Sequence, residues 1–350
     1  MMILDELQTV PKLHTLVINE TVTFECGKSI PSMAVTYSTW GQLNEQQNNI
    51  VWVCHPLTCG ADPTQWWPEL VGLDKVITPK KYFIVCVNAV GSCYGTSGPC
   101  SKQTSGSVYG FDFPLTTILD VVMVHQRVRN HLNIKAVNLG IGASFGGQQL
   151  IQWMALEPQL FKHACIAGAN ALQSPWAKAF NETQRMAIEA DESFYLDVPN
   201  GGKKGLAAAR SLAVLSYRSF ETYSRTQAEP SHQTFNDFRA SSYQRYIGEK
   251  FTKRFSAISY WYLTKAMDSH NIARHGYSLE QVLTRIQTNT LLLAMSGDVL
   301  FHEQELGFMD QYLPYSWLMT IHSTHGHDGL LANTDRISTS LQSFIDEFSI

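Results

Sequence analysis

One hexapeptide restricts the folds open to this chain more than any other segment: Gly142-Ala143-Ser144-Phe145-Gly146-Gly147. A strand-like run, Ala136 to Gly140, precedes it, and a helix-like run, Gly146 to Leu156, follows and is ended by Pro158. A serine framed by glycines between a strand and a helix is forced onto a strained turn, with its hydroxyl presented at the top of a sheet. The glycines are needed because a side chain there would collide with the neighbouring strand or helix. A phosphate loop fits poorly. No Gly-Lys-Ser/Thr follows, and a G-x-G-x-x-G match is only partial. An ordinary glycine-rich connection competes with the nucleophile on the hexapeptide alone, and the strand-and-helix setting favours Ser144 as nucleophile.

The flanking chain supplies the matching framework. Asn49 to Leu57 and Tyr82 to Val90 read as buried strands, Thr116 to Leu132 as a helix, and His163 to Gly168 as another strand. Strands alternating with helices imply a parallel sheet covered on both faces. From about Ser174 to Arg285 the chain turns polar, aromatic and helix-like. The strand pattern returns at Thr288 to Met295 and at Trp317 to His322, and an amphipathic stretch runs from Leu330 to Phe348. A domain holding only those last two strands could not close a core. The expectation is therefore the α/β class, with an α/β-hydrolase fold: a mostly parallel sheet flanked by helices. Residues 1–173 and 286–350 form the core domain, interrupted by a helical lid over residues 174–285.

Composition narrows the function classes. With 44% hydrophobic and 16% charged residues the chain can bury a sizeable core, and a net charge of −4 gives no reason to expect nucleic acid or an anionic membrane. No apolar stretch approaches the roughly 18–20 residues that span a bilayer. The acidic start Met-Met-Ile-Leu-Asp-Glu is unlike a signal peptide. Seven cysteines without a C-x-x-C pair argue against a disulfide framework and against a metal site. Cys54, Cys86 and Cys165, inside apolar runs, read as reduced core residues, and the cytosol is the expected compartment.

A serine hydroxyl attacks only when a base takes its proton and an acid orients that base. In this fold the acid and the histidine follow in that order, each after a late strand. Leu291 to Met295 leads into Ser296-Gly297-Asp298, which nominates Asp298, although an aspartate after glycine is also an ordinary turn residue. The next strand leads into His322, His325 and His327. His322, at the strand end, reads as structural, and the residues alone divide His325 and His327 evenly. An oxyanion hole needs two backbone N–H groups. Phe145 should give one, and Leu57 or Thr58, in His55-Pro56-Leu57-Thr58-Cys59-Gly60, the other.

Taken together, these pieces resemble the homoserine O-acetyltransferase family over nearly the whole length. The resemblance is carried by His55-Pro56-Leu57-Thr58, Trp66-Trp67, Asn88-Ala89-Val90-Gly91, Gly95-Thr96-Ser97-Gly98-Pro99, Gly205 to Arg210 (Gly-Leu-Ala-Ala-Ala-Arg), Ser216-Tyr217-Arg218-Ser219, Lys253-Arg254-Phe255, Ala266-Met267-Asp268 and Gly326-His327-Asp328. It implies that His327 is the base, that Arg218 pairs with the carboxylate of an amino-acid acceptor, and that Asp328 holds its ammonium group; Leu57 with Phe145 is taken as the oxyanion hole. Ala143 and Phe145 depart from the family's usual glycine and methionine, and Cys59 stands where glycine is usual.

The activity so implied moves an acetyl group from acetyl-CoA to the hydroxyl of L-homoserine through a Ser144 acyl-enzyme, a step towards methionine. Alternatives are a related acyltransferase using succinyl-CoA or L-serine, and a plain esterase or thioesterase on the same triad. No permanently bound cofactor is expected, with acetyl-CoA a co-substrate, and the chain is expected to be a homodimer.

Overall fold

Alternate residues along the central strands go to opposite sides of the sheet. In Ile50–Cys54, Ile50, Trp52 and Cys54 join one apolar core, while Val51 and Val53 join a second. All five are fully buried. Such a strand reads as a continuous apolar run because both its faces are covered by helices. The computed structural model describes residues 10–196, 198 and 200–350.

Four strands precede the first helix-bearing unit: β1 (Lys12–Ile18), the short β2 (Val22–Thr23) and β3 (Ser29–Ile30), and β4 (Met33–Trp40). Then follow β5 (Ile50–Cys54), β6 (Phe83–Val87), α1 (Ile118–His131), β7 (Val137–Ala143), α2 (Phe145–Leu156) and β8 (Phe161–Ala167). Six helices come next: α3 (Pro175–Glu189), α4 (Lys203–Tyr217), α5 (Phe220–Thr226), α6 (Arg239–Phe251), α7 (Ala257–Asp268) and α8 (Leu279–Leu283). The sheet resumes with β9 (Asn289–Met295), α9 (Glu303–Tyr312) and β10 (Ser316–Ile321), and α10 (Gly329–Ala332) and α11 (Thr334–Phe348) close the chain.

The main sheet has the order β1-β4-β6-β5-β7-β8-β9-β10. Only β4 opposes its neighbours, β1 and β6; the strands from β6 to β10 pair in parallel. The chain is thus an α/β-hydrolase fold with a mostly parallel sheet. Two strands of this sheet, β1 and β4, lie ahead of the first one expected from the sequence. Met33, Val35 and Tyr37 of β4 are buried and alternate with less buried residues, which is the period-2 pattern of a strand near a sheet edge. The expected strands and helices otherwise appear with ends shifted by a few residues. The stretch Leu330 to Phe348 is split into α10 and α11 at Asn333.

The elbow is packed to backbone contact. A Cβ on Gly146 would stand 2.1 Å from the carbonyl oxygen of Cys54, and one on Gly142 would stand 2.4 Å from that of Gly146. Glycine is therefore what lets α2 start directly against β5 and β7. Among the described residues no helix is long and apolar enough to cross a membrane. Cys54, Cys86 and Cys165 are buried free thiols.

Candidate active site

Ser144 occupies the turn between β7 and α2 with φ 54° and ψ −124°, backbone values that non-glycine residues avoid. Its N–H donates to the Ala167 carbonyl at 2.9 Å and its carbonyl accepts from Gln148, so the strained turn is held on both sides. The side chain is nearly buried, with its hydroxyl 2.9 Å from Nε2 of His327. Nδ1 of His327 lies 2.7 Å from Oδ2 of Asp298. The other carboxylate oxygen, Oδ1, accepts from the N–H groups of Leu300 and Phe301 at 2.8 and 3.0 Å. Asp298 is thus both a turn former and the partner of the histidine; the two readings of the sequence are one arrangement.

Electrostatics suit the histidine to accept a proton. Burial pushes the His327 pKa down, but the charge of Asp298, its hydrogen bond and the charge of Asp328 together outweigh burial, and the net shift is upward. With the proton on Nδ1 held by Asp298, Nε2 presents its lone pair to Ser144. Phe301 stacks on the ring at 5.3 Å and fixes its plane. His322 is exposed, and the N–H of His325 is bonded to Ser323 Oγ; neither side chain has a bond to the triad. Among the three histidines, only His327 meets the serine.

Phe145 opens α2, and Leu57 lies in the loop after β5. Neither N–H has a backbone acceptor among the described residues. Cys59 follows in the same loop. Burial pushes its thiol up to about 12, so it is protonated and no rival to the serine.

Two small hollows flank Ser144. One, of about 80 Å³, is lined by Leu57, Thr58, Cys59, Arg210, Tyr217 and Asp328. The other, of about 20 Å³, is lined by Gln173, Asn181, Gln184, Met267, Leu300 and Phe301. A larger opening of about 600 Å³ between Cys100, Phe194 and Phe255 has no triad residue in its lining. Chemistry, not size, selects the hollows at Ser144.

Arg218, expected to meet an acceptor carboxylate, lies beside Asp328, expected to meet the acceptor ammonium group. It caps the end of α4, its Nε donates to Asp328 Oδ2 at 3.1 Å, and its guanidinium lies 5.0 Å from the Tyr243 ring. It is not among the residues lining the hollow. Arg210 is, held against the faces of Tyr217 and Phe251 rather than by a carboxylate among the described residues. Sequence reasoning quoted Arg210 in a motif but gave it no role. The signal was present: Arg210 and Tyr217 are seven positions apart, two turns of α4, and therefore share a face. Arg254 was likewise passed over. From the turn after α6 it donates to the Thr58 carbonyl at 2.7 Å and to the Tyr94 hydroxyl at 2.7 Å, tying that turn to the loop that carries Leu57.

The sequence profile of the alpha/beta hydrolase fold family matches residues 53–326. A homoserine O-acetyltransferase of Cyclobacterium marinum is 40% identical over 326 residues, covering 93% of each chain. The crystal structure of homoserine O-acetyltransferase from Staphylococcus aureus superposes with a TM-score of 0.81 at 27% identity, covering 96% of this chain and 95% of that one. Esterase E22 gives a TM-score of 0.86 at 22% identity, covering 96% of this chain and all of its own, a likeness of fold alone.

Proposed function

Because this chain belongs to the homoserine O-acetyltransferase family, on an α/β-hydrolase fold, we propose that it transfers an acetyl group from acetyl-CoA to the hydroxyl of L-homoserine through an acyl-enzyme on Ser144. The observation that carries this reading is the joining of a Ser144–His327–Asp298 triad to a hollow bearing both an arginine and an aspartate.

In the first half-reaction His327 Nε2 takes the proton of Ser144 as Oγ attacks the thioester carbonyl. The N–H groups of Leu57 and Phe145 receive the charge that develops on the carbonyl oxygen. As the tetrahedral intermediate collapses, the carbon–sulfur bond breaks and His327 returns its proton to the leaving thiolate. In the second half, the acceptor hydroxyl gives its proton to His327 and attacks the acetyl carbonyl, and Ser144 leaves with the proton restored. Homoserine carries a carboxylate and an ammonium group. Arg210 suits the first, since a guanidinium matches a carboxylate with two donors; Asp328 suits the second. Arg218, paired with Asp328, is assigned to orienting that aspartate. The product would feed methionine synthesis, in the cytosol.

Offering the purified protein acetyl-CoA or succinyl-CoA with homoserine, serine or water tests the reading. Acetyl-CoA with homoserine should give the fastest release of CoA, and acetyl-CoA alone should add an acetyl mass to the Ser144 peptide. Faster transfer to water than to homoserine, or label on a cysteine, overturns it.

A further inference from the structure

The loop that carries Leu57 also holds a buried histidine with no part in the triad. His55 is fully buried, and both of its ring nitrogens are bonded, one within this loop and one just beyond β6. Its Nε2 lies 3.0 Å from the N–H of Ala89, which can only donate, so Nε2 must accept. In a neutral imidazole the proton is then on Nδ1. Nδ1 lies 2.8 Å from the carbonyl oxygen of Pro56 and donates to it. Burial holds the ring neutral, lowering its pKa to about 4 although the bond to Pro56 opposes this.

The Pro56 carbonyl belongs to the same peptide group as the Leu57 N–H. In a planar trans peptide these two bonds point in opposite directions. Whatever fixes the carbonyl therefore aims the N–H. Cys59 N–H also donates to Pro56 O, at 3.0 Å, but that bond lies within the loop and moves with it. The imidazole instead ties the peptide to Ala89, just beyond β6. Gln149 of α2 donates to the His55 carbonyl at 3.2 Å and fixes the base of the same loop from the helix that Ser144 begins.

We propose that His55 is a positioning residue for acyl transfer: through its neutral Nδ1–H form it aims the Leu57 N–H at the oxyanion formed over Ser144. This rests on the acyl-enzyme reading above and extends it to a group that never touches substrate.

Two substitutions separate aiming from mere packing. In His55→Asn the side-chain amide nitrogen can take the place of Nδ1 and still donate to Pro56 O, but the contact with Ala89 is lost. In His55→Gln the amide oxygen can take the place of Nε2 and accept from Ala89, but the donor to Pro56 O is lost. Loss of an oxyanion donor costs about 10²- to 10³-fold in kcat. Acylation of His55→Gln by p-nitrophenyl acetate should fall by about 10²-fold with KM changed by less than about threefold, while His55→Asn stays within about tenfold of the parent. Melting temperatures should fall in both. A purely structural histidine predicts that rate follows melting temperature in the two variants alike, and that result overturns the proposal. The aryl ester reports on the hole whether or not acetyl-CoA is the donor. A parent that takes acetyl from the ester but not from acetyl-CoA thus removes the transfer reading and leaves this one standing. Should neither variant fold, ¹⁵N-histidine NMR of the parent decides. A protonated Nδ1 and bare Nε2 on His55 across neutral pH is the expected result, and the opposite tautomer overturns the inference.

Discussion

At Ser144 the backbone is strained in order to present a hydroxyl. Its φ of 54° lies where only glycine is comfortable. Ser144→Gly should therefore melt higher than Ser144→Ala, by about 1 kcal/mol of relieved strain, even though glycine is normally the poorer residue at a helix start. Thermal denaturation of the pair checks this, and both variants should be unacylated. The histidine permits a second prediction, from pH. His327 must be neutral to act as base, and its pKa is raised. Turnover over KM should accordingly fall as pH drops through a value raised above that of a free histidine. Asp298→Asn, which removes the main raising influence, should move that limb downward while cutting kcat. His327→Ala should cost several powers of ten, whereas His325→Ala should stay near the parent in a steady-state assay. Residues 325 and 327 were indistinguishable in the sequence because both follow the same strand. What separates them is a turn with Gly326 at φ 61°: His327 meets the serine through its ring, whereas His325 is held to Ser323 Oγ through its backbone N–H.

Elements place these residues, and close contacts set the tolerances. Because a Cβ at position 146 would meet the Cys54 carbonyl at 2.1 Å, Gly146→Ala should push α2 from β5, destabilising by about 1–3 kcal/mol as overpacking does; chemical denaturation measures it. Helix α4 permits a cleaner functional test. Arg210→Ala should leave acylation by acetyl-CoA nearly intact while homoserine-dependent turnover over KM falls by roughly thirty- to several-thousand-fold, the equivalent of about 2–5 kcal/mol for a lost charge-assisted contact. Arg218→Ala should do less, since it releases Asp328 without removing it. Stopped-flow acylation beside steady-state transfer tells the two arginines apart, and equal loss in both phases would defeat the assignment of Arg210. The elements most legible in the sequence were the buried strands, whose Val, Ile and Leu runs need no partner to be recognised. Strand β4 was not recognised. Its Met-Ala-Val-Thr-Tyr-Ser-Thr-Trp is half polar, and its alternation has meaning only once β1 and β6 lie beside it.

At the scale of the whole molecule, the sheet, the elbow and the order of acid and base could be read in advance because they follow from short-range chemistry. The packing of Arg210 into the hollow beside Ser144, and of Arg218 against Asp328, could not. It depends on how α4 lies over loops from both ends of the core, a long-range relation that no local pattern encodes. The lid also exposes large aromatic groups, Phe220 at 88% and Phe235 at 92%. They support a proposed homodimer joined through the lids, for which light scattering should give twice the 39.3 kDa chain mass and Phe235→Ser should shift the protein towards monomer.

Among the described residues, the helical segment between β8 and β9, the proposed lid, meets the catalytic loops at three places: Arg218 to Asp328, Ser219 and Thr222 to the Thr324 carbonyl, and Arg254 to the Thr58 carbonyl. Each tie joins a side chain of one part to a loop of the other. The lid is therefore not an interchangeable cassette. A chimera that grafts a relative's lid onto this sheet should fold yet acylate poorly unless the segments around Thr58 and Thr324 come from the same donor. The helices between β8 and β9 and these two loops thus act as one mechanical unit, and a graft that moves one should move the other with it.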